Sequence, residues 1–526
     1  MQKFRKLPIG IQSFENLRKN DYLYVDKTEF VFRLVETGKV YFLSRPRRFG
    51  KSLFLSTLKA FFEGKKDLFD GLKIVELEKD NPNAWKKYPV IYFDFNGMDY
   101  SKENSLFEKL DKTLSFYEET YGKNAVDGFN VSLRFSSLIK NAHDKTGLGV
   151  VVLVDEYDKS LLESDEKIQE SNRNLFKGFF GNLKSSDEYL KFVFITGVTK
   201  FSKVSIFSDL NQLNDISMTR NFSSICGITE EEMHSNFEIE IEKMAEILKI
   251  SKDECMQKLE KMYDGYHFFP ESKGVYNPFS LINALDKQNF DSYWFSTGTP
   301  TFLIKKLSES RQNYMDFTNG IEASEQDLKD YRNDNPNPIP LFYQTGYLTI
   351  KDYDKEFFVY TLKYPNDEVK FGFLKSLLPS LLPVENENGL DIVSFARDIK
   401  KGNAESMMNR FKSLFASLPY PTAKKENAEK IAEQNFQNVF YLVFTLLGQW
   451  SQVEVYNYKG RADCILENGN NVFIFEFKVD SSADEALSQI EENKYAEKYK
   501  TSNKKIVKIG ANFSTKTRTL TEWKIE

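Results

Sequence analysis

Nothing in this chain limits its possible folds as tightly as Val150–Val154, five aliphatic residues that run straight into Asp155 and Glu156. A strand without polar alternation must be covered on both faces, and such strands belong to parallel sheets flanked by helices. Shorter apolar runs at Val40–Ser44, Val90–Phe95 and Phe192–Thr196 read as neighbouring strands. Amphipathic stretches at Lys51–Phe62 and Ser101–Tyr121 read as helices between them. Strands alternating with helices predict an α/β domain. At 526 residues the chain exceeds what one core serves, so further domains are expected.

Val40–Ser44 opens onto Arg45-Pro46-Arg47-Arg48-Phe49-Gly50-Lys51-Ser52, at a strand-to-helix junction. Gly50-Lys51-Ser52 is the second half of a phosphate-binding loop, where backbone N–H groups at a helix start face an anion. Arg48, Phe49 and Gly50 would cradle the phosphates of ATP, Lys51 would reach the β and γ groups, and Ser52 would ligate Mg²⁺. Arg45 stands where the loop pattern has its first glycine. Arg45, Arg47 and Arg48 offer charge for phosphate, a neighbouring subunit or DNA, and equally suit a solvated loop. Residues 1–60, which carry the loop, hold 13 Lys and Arg against 5 Asp and Glu.

Asp155, at the carboxyl end of its strand, would hold the Mg²⁺ hydration shell, and Glu156 would polarise the attacking water. Thr196 ends the next strand and would sense the γ-phosphate from there. Each motif is short, yet all three fall in the right order on the elements they need. From about Asn221 the texture turns helical, with Glu230–Ile250 and Lys252–Met262 as charged helices. Islands interrupt it at Tyr263-Asp264-Gly265-Tyr266, Tyr276-Asn277-Pro278-Phe279 and Ser296-Thr297-Gly298-Thr299-Pro300. Asp330–Asn337 and Pro383–Gly389 read as loops.

Near the C-terminus, a helix over Ala428–Leu447 precedes Gly460-Arg461-Ala462-Asp463 and the strand Val472–Lys478, joined through Asn468-Gly469 as a β-hairpin. Alternation puts Phe473, Phe475 and Phe477 on one face of that strand and Glu476 and Lys478 on the other. A turn at Asn468-Gly469 sets Asp463 diagonal to Glu476; one at Gly469-Asn470 sets it directly opposite. Either register gathers two carboxylates and a lysine. Oxygen ligands suit Mg²⁺, which Asp463 and Glu476 would hold, while Lys478 would position the water that attacks a phosphodiester. Glu433 on the preceding helix, and Gln489 and Tyr495 on a helix over Ala483–Tyr499, are candidates for the same cleft.

Composition narrows the classes further. A net charge of -5 is not that of a protein that coats DNA. Three cysteines and three histidines leave no disulfide framework and no His-rich metal site, which suits a cytoplasmic chain. The start, MQKFRKLPIG, has no apolar signal core, and no run of about 18 apolar residues suggests a membrane span.

Residues 1 to about 220 resemble the AAA-ATPase-like family of bacterial proteins, through Tyr24-Val25-Asp26-Lys27-Thr28, Arg45–Ser52 and Asp155-Glu156-Tyr157-Asp158. That family shows the same arginine in place of glycine. Residues from about 425 to 515 look like a PD-(D/E)xK nuclease-superfamily domain, through Gly460–Asp463 and Phe475-Glu476-Phe477-Lys478. The resemblance implies an α/β chain with a P-loop, AAA-like ATPase domain at 1–220, a helical lid or linking region at 221–385 and a restriction-endonuclease-like domain at 386–526. It implies ATP and Mg²⁺ as cofactors and nucleic acid, DNA first, as partner, with a homo-oligomer open. The expected activity is an ATPase coupled to a DNA nuclease. The alternative is a nucleotide-dependent switch or nucleic-acid-binding protein that does not cleave.

Overall fold

The run Val150–Val154 forms all but the last residue of a buried strand, and the sheet built around it is fully parallel. The computed structural model describes residues 5–200, 206–207, 210–297, 301–309, 316–329, 337–381, 392–416, 428–448, 452–455, 463–468 and 470–526. The loops expected at Asp330–Asn337 (but for Asn337) and Pro383–Gly389, with Gly298-Thr299-Pro300 and Gly460-Arg461-Ala462, lie outside these residues. The chain falls into two compact units, 1–370 and 371–526. Among the described residues no helix is long and apolar enough to cross a membrane.

In the first unit the strands are β1 (Val40–Ser44), β2 (Val90–Asp94), β3 (Val150–Asp155), β4 (Leu190–Gly197) and β5 (Asn214–Asp215), in the order β2-β3-β4-β1-β5. β4 thus separates the strand that opens the loop from the strand that ends in Asp155. All five point the same way, so their carboxyl ends share one edge, where parallel sheets bind ligands. β2 stops one residue earlier than predicted because the Asp94 carboxylate accepts from the Asn96 amide at 2.9 Å and turns the chain. The helix expected from Ser101 starts at Ser105, since Asp99 takes the Ser101 amide and hydroxyl into a turn first.

The middle of the chain packs helices Glu230–Leu248, Lys252–Tyr263 and Pro278–Lys287 around one cluster that includes Phe237, Leu259 and Leu281. It also holds an antiparallel sheet of β6 (Ile321–Ser324), β7 (Thr349–Asp354) and β8 (Val359–Lys363), in the order β6-β8-β7. The helical reading of this region did not include that sheet.

The second unit is a five-stranded sheet of β9 (Gln452–Val455), β10 (Cys464–Glu467), β11 (Asn471–Val479), β12 (Lys505–Ser514) and β13 (Thr519–Ile525), in the order β13-β12-β11-β10-β9. The pattern of β11 dictates its two coverings. Phe475 and Phe477 pack on Phe444 and Phe440 of the helix Ala428–Leu447, with centroids 4.9 and 4.0 Å apart. Val472 and Ile474, on the other face, pack with Leu487 and Ile490 of the helix Ala483–Glu492. That helix ends at Glu492, short of the predicted Tyr499. Gly510 on β12 permits its approach, because a Cβ there would lie 2.5 Å from the Ala483 carbonyl.

Candidate functional site

Between β1 and the helix Lys51–Phe62 the backbone takes two left-handed steps, Arg48 at φ +67° and Gly50 at φ +95°. Glycine meets the second without the Cβ strain another residue would carry. Lys51 is 4 % exposed and donates to the carbonyls of Arg45 (2.9 Å) and Pro46 (3.0 Å). Burial pushes its pKa down, while Glu156, Asp155 and Asp158 pull it back up. A cavity of about 380 Å³ opens here, lined by Arg48, Gly50, Lys51 and Ser52, by Glu156, and by Phe279 among others.

Arg45 does not face that cavity. It is 1 % exposed, and its guanidinium donates to the carbonyls of Ser44 (2.8 Å), Ser217 (2.8 Å) and Phe222 (3.0 Å). It lies 3.9 Å over the Phe268 ring. The residue in the glycine position is therefore a clamp that ties the loop to the chain after β5. The Phe49 side chain also turns inward. Its ring is 1 % exposed and packs on Tyr266 (4.7 Å) and Phe268 (5.6 Å), so its side chain is core. Arg47 is held through its carbonyl, which accepts from the Trp294 indole at 3.0 Å. The middle region thus braces the loop through Tyr266, Trp294 and Gly346, where a Cβ would lie 2.7 Å from the Pro46 ring.

Asp155 ends β3 at 2 % exposure. Thr196 donates its hydroxyl to Asp155 Oδ1 at 2.8 Å, and the Tyr92 hydroxyl reaches Oδ2 at 3.4 Å. Thr196 is fully buried, so it stands behind Asp155 and serves it, where a residue facing the γ-phosphate was expected. Glu156 follows in left-handed conformation (φ +50°), a strained geometry for a residue with a Cβ. Burial pushes its carboxyl pKa up and Lys51 pulls it down. Sequence reasoning assigned no role to Asp158, yet it accepts from the Thr199 amide (2.6 Å), the Thr199 hydroxyl (2.7 Å) and the Val198 amide (3.0 Å). It also missed Asn96 and Lys159, which line the cavity. Their signal was faint: a lysine three places after Glu156, and an amide two places beyond β2.

In the second unit, Cys464 pairs with Phe475 and Glu467 with Val472. This is the second of the two registers, whose next step sets Asp463 against Glu476. Asp463 Oδ2 accepts from the Phe477 amide at 2.8 Å. Lys478 lies 3.8 Å from Glu476 Oε1 and donates to the Gln489 side chain. Glu476 is 3 % exposed, and its Oε2 is buried without a hydrogen-bond partner. Burial, with Asp463 alongside, pushes its pKa up to about 8, and burial raises Asp463 as well. Among the described residues no group of three His, Cys, Asp or Glu side chains is arranged for a metal. Glu433 lies on the helix Ala428–Leu447, but its side chain is outside the described residues. A hard divalent cation fits the pair nonetheless, because it would satisfy the orphaned oxygen and offset two adjacent negative charges.

Comparison with known proteins matches a family to each end of the chain. The family described as predicted AAA-ATPase matches residues 8–207, and the PD-(D/E)XK nuclease superfamily matches residues 431–523. An uncharacterized protein in the vnfD 5' region of Azotobacter chroococcum mcd 1 is 36% identical over 533 residues, which cover 99% of each chain. The structure of the Aeropyrum pernix ORC1 protein in complex with DNA covers 66% of this chain and 91% of its own, at 10% identity and a TM-score of 0.23. That likeness is too slight to carry an argument. The end-to-end relative and the two family matches place this chain in the AAA-ATPase-like family, with a C-terminal domain of the PD-(D/E)XK nuclease superfamily.

Proposed function

We propose that this protein is an ATPase whose nucleotide cycle governs a Mg²⁺-dependent nuclease acting on DNA. The observation that carries the reading is the single cavity in which Gly50, Lys51 and Ser52 face Glu156. Backbone N–H groups at the start of the helix Lys51–Phe62, and the Lys51 ammonium, bind the β and γ phosphates. Ser52 and Asp155 are the residues that would hold Mg²⁺, and Thr196 keeps Asp155 aimed. Glu156 orients the water that attacks the terminal phosphorus. We keep 1–220, 221–385 and 386–526 as the functional subdivision, the middle region answering to nucleotide through its contacts with the loop.

In the second unit Asp463 and Glu476 would hold the cation, whose charge would stabilise the phosphorane-like transition state and acidify a bound water. Lys478, steadied by Gln489, orients the attacking water beside the scissile phosphate. The free, buried cysteines Cys226, Cys255 and Cys464 agree with a reducing, cytoplasmic setting. The test is plasmid cleavage with Mg²⁺, with and without ATP, by wild type and Lys478→Ala, alongside phosphate release by wild type and Glu156→Gln. Cleavage is expected from wild type alone, and Glu156→Gln should lose about 10²-fold or more of its turnover while still binding ATP. Equal cleavage by wild type and Lys478→Ala would defeat the nuclease assignment.

A further inference from the structure

Phosphoryl transfer needs more than one positive group, because negative charge spreads over the terminal phosphate and the leaving oxygen as the bond breaks. Related machines often take the second cation from a neighbouring chain. Here a candidate sits in the same cavity. Lys159 opens the short helix that follows Asp158, three residues beyond Glu156. It lines the nucleotide cavity with Gly50, Lys51, Ser52 and Glu156. Its ammonium donates to Asn96 Oδ1 at 3.0 Å, and Asn96 is fixed in turn, its amide nitrogen on Asp94 Oδ1 at 2.9 Å. Glu163 lies 4.0 Å from the ammonium, so the cation is held by one good hydrogen bond and one loose ion pair. It remains a quarter exposed, open towards the cavity. The arrangement aims a lysine at the cavity and leaves it donors to give.

Arg47 and Arg48 line the cavity as well, and Lys159 differs from them in being hydrogen-bonded in place beside Glu156. Arg45 is spent on three carbonyls, and the Arg48 guanidinium lies 5.1 Å over the Phe279 ring. Arg220, beyond β5, pairs with Glu271 at 2.8 Å.

Resting on the ATPase reading above, we propose that Lys159 is the second cation of the reaction, acting on the terminal phosphate within its own chain, so that hydrolysis needs no neighbouring subunit. In the step it serves, the water oxygen bonds to the γ-phosphorus and the bridging P–O bond breaks, its electron pair leaving with ADP. The water proton passes to the Glu156 carboxylate. Lys159 offsets the charge that gathers on the γ-phosphate oxygens, and Asn96 holds it in reach.

The experiment is steady-state phosphate release by the full-length chain as wild type, Lys159→Met, Lys159→Arg and Glu156→Gln, with binding of a fluorescent, non-hydrolysable ATP analogue measured for each. Lys159→Met should lose about 10²-fold in kcat, with analogue affinity within about threefold of wild type. Lys159→Arg should recover most of the loss, and the wild-type rate per chain should hold constant on dilution from micromolar to nanomolar. Turnover that Glu156→Gln abolishes but Lys159→Met leaves intact overturns the role of Lys159 alone. A rate per chain that falls on dilution, or a loss matched by lost analogue binding, overturns it too. Phosphate release indifferent to Glu156→Gln overturns instead the ATPase reading beneath it.

Discussion

The nucleotide cavity and the carboxylate pair stand at opposite degrees of completion. At and behind the cavity several charged groups already have partners. Asp155 has Thr196 and Tyr92, Asp158 has the chain at Val198 and Thr199, and Lys51 has two carbonyls. At the other site Glu476 Oε2 has none, and its carboxyl is pushed to about 8 by burial beside Asp463. The first site holds its shape through its own hydrogen bonds before any ligand comes. The second keeps a buried charge problem that only a proton or a cation resolves. Changes at the first should therefore cost stability or turnover, whereas removing charge at the second should stabilise the protein while ending its chemistry.

The sharpest way to break this contrast is Arg45→Gly, which restores the glycine of the usual loop pattern. By pattern alone it should help. By the structure it leaves the Ser44, Ser217 and Phe222 carbonyls without a charged donor and strips the guanidinium from Phe268. Losing several buried, charge-assisted hydrogen bonds costs about 3–5 kcal/mol, a fall of about 5 °C in melting temperature for a unit of this size. Calorimetry decides it. A variant as stable as wild type, with faster ATP turnover, would return Arg45 to the status of a degenerate loop residue.

Next in size is Glu476→Gln, and here the sign reverses. A carboxyl whose folded pKa is raised from 4.5 to about 8 favours the fold while protonated. Its contribution is complete below about pH 4.5 and is lost as the pH climbs through about 8. Without divalent cation, wild type should thus lose on the order of 3 kcal/mol against the Gln variant between pH 5 and 8.5. Added Mg²⁺ should raise the wild-type melting temperature more at pH 8.5 than at pH 6, since binding must displace the proton. The variant should respond little. If it melts below wild type at pH 8.5 in chelator, Glu476 is not the strained group described here.

Much of this was open to reading from residue order. The strand Val40–Ser44 and the helices Lys51–Phe62 and Ala428–Leu447 have the bounds their patterns predict, because apolar period and flanking turns specify them locally. The sheet of β6, β7 and β8 was hidden because its strands are short, polar on one side and paired out of order. The hairpin left two registers open, and Asn468 closes the choice by donating its amide to the Asn471 carbonyl at 3.0 Å. Roles failed where partners are distant in sequence. Arg45 read equally as a ligand for phosphate, a subunit or DNA and as part of a solvated loop, because Ser217, Phe222 and Phe268, which define its surroundings, lie far along the chain. The inward turn of the Phe49 ring was hidden for the same reason, its neighbours being Tyr266 and Phe268.

The finest probe of the contrast is Thr196→Val. The swap keeps volume and branching and deletes one hydroxyl, the donor 2.8 Å from Asp155 Oδ1. A buried acceptor left unmet costs about 1–2 kcal/mol, so unit melting should drop by a few degrees. The larger consequence is kinetic, because the 3.4 Å Tyr92 contact alone is too long to hold the carboxylate's angle. Turnover should fall roughly tenfold, with analogue binding unchanged. At the carboxylate pair the matching support of Asp463 is the Phe477 backbone amide, which no side-chain substitution removes. A side chain therefore steadies Asp155, and the strand itself steadies Asp463. Thr196→Val at full activity and full stability would show instead that Asp155 is fixed by the β3 backbone, and the two sites would then be built alike.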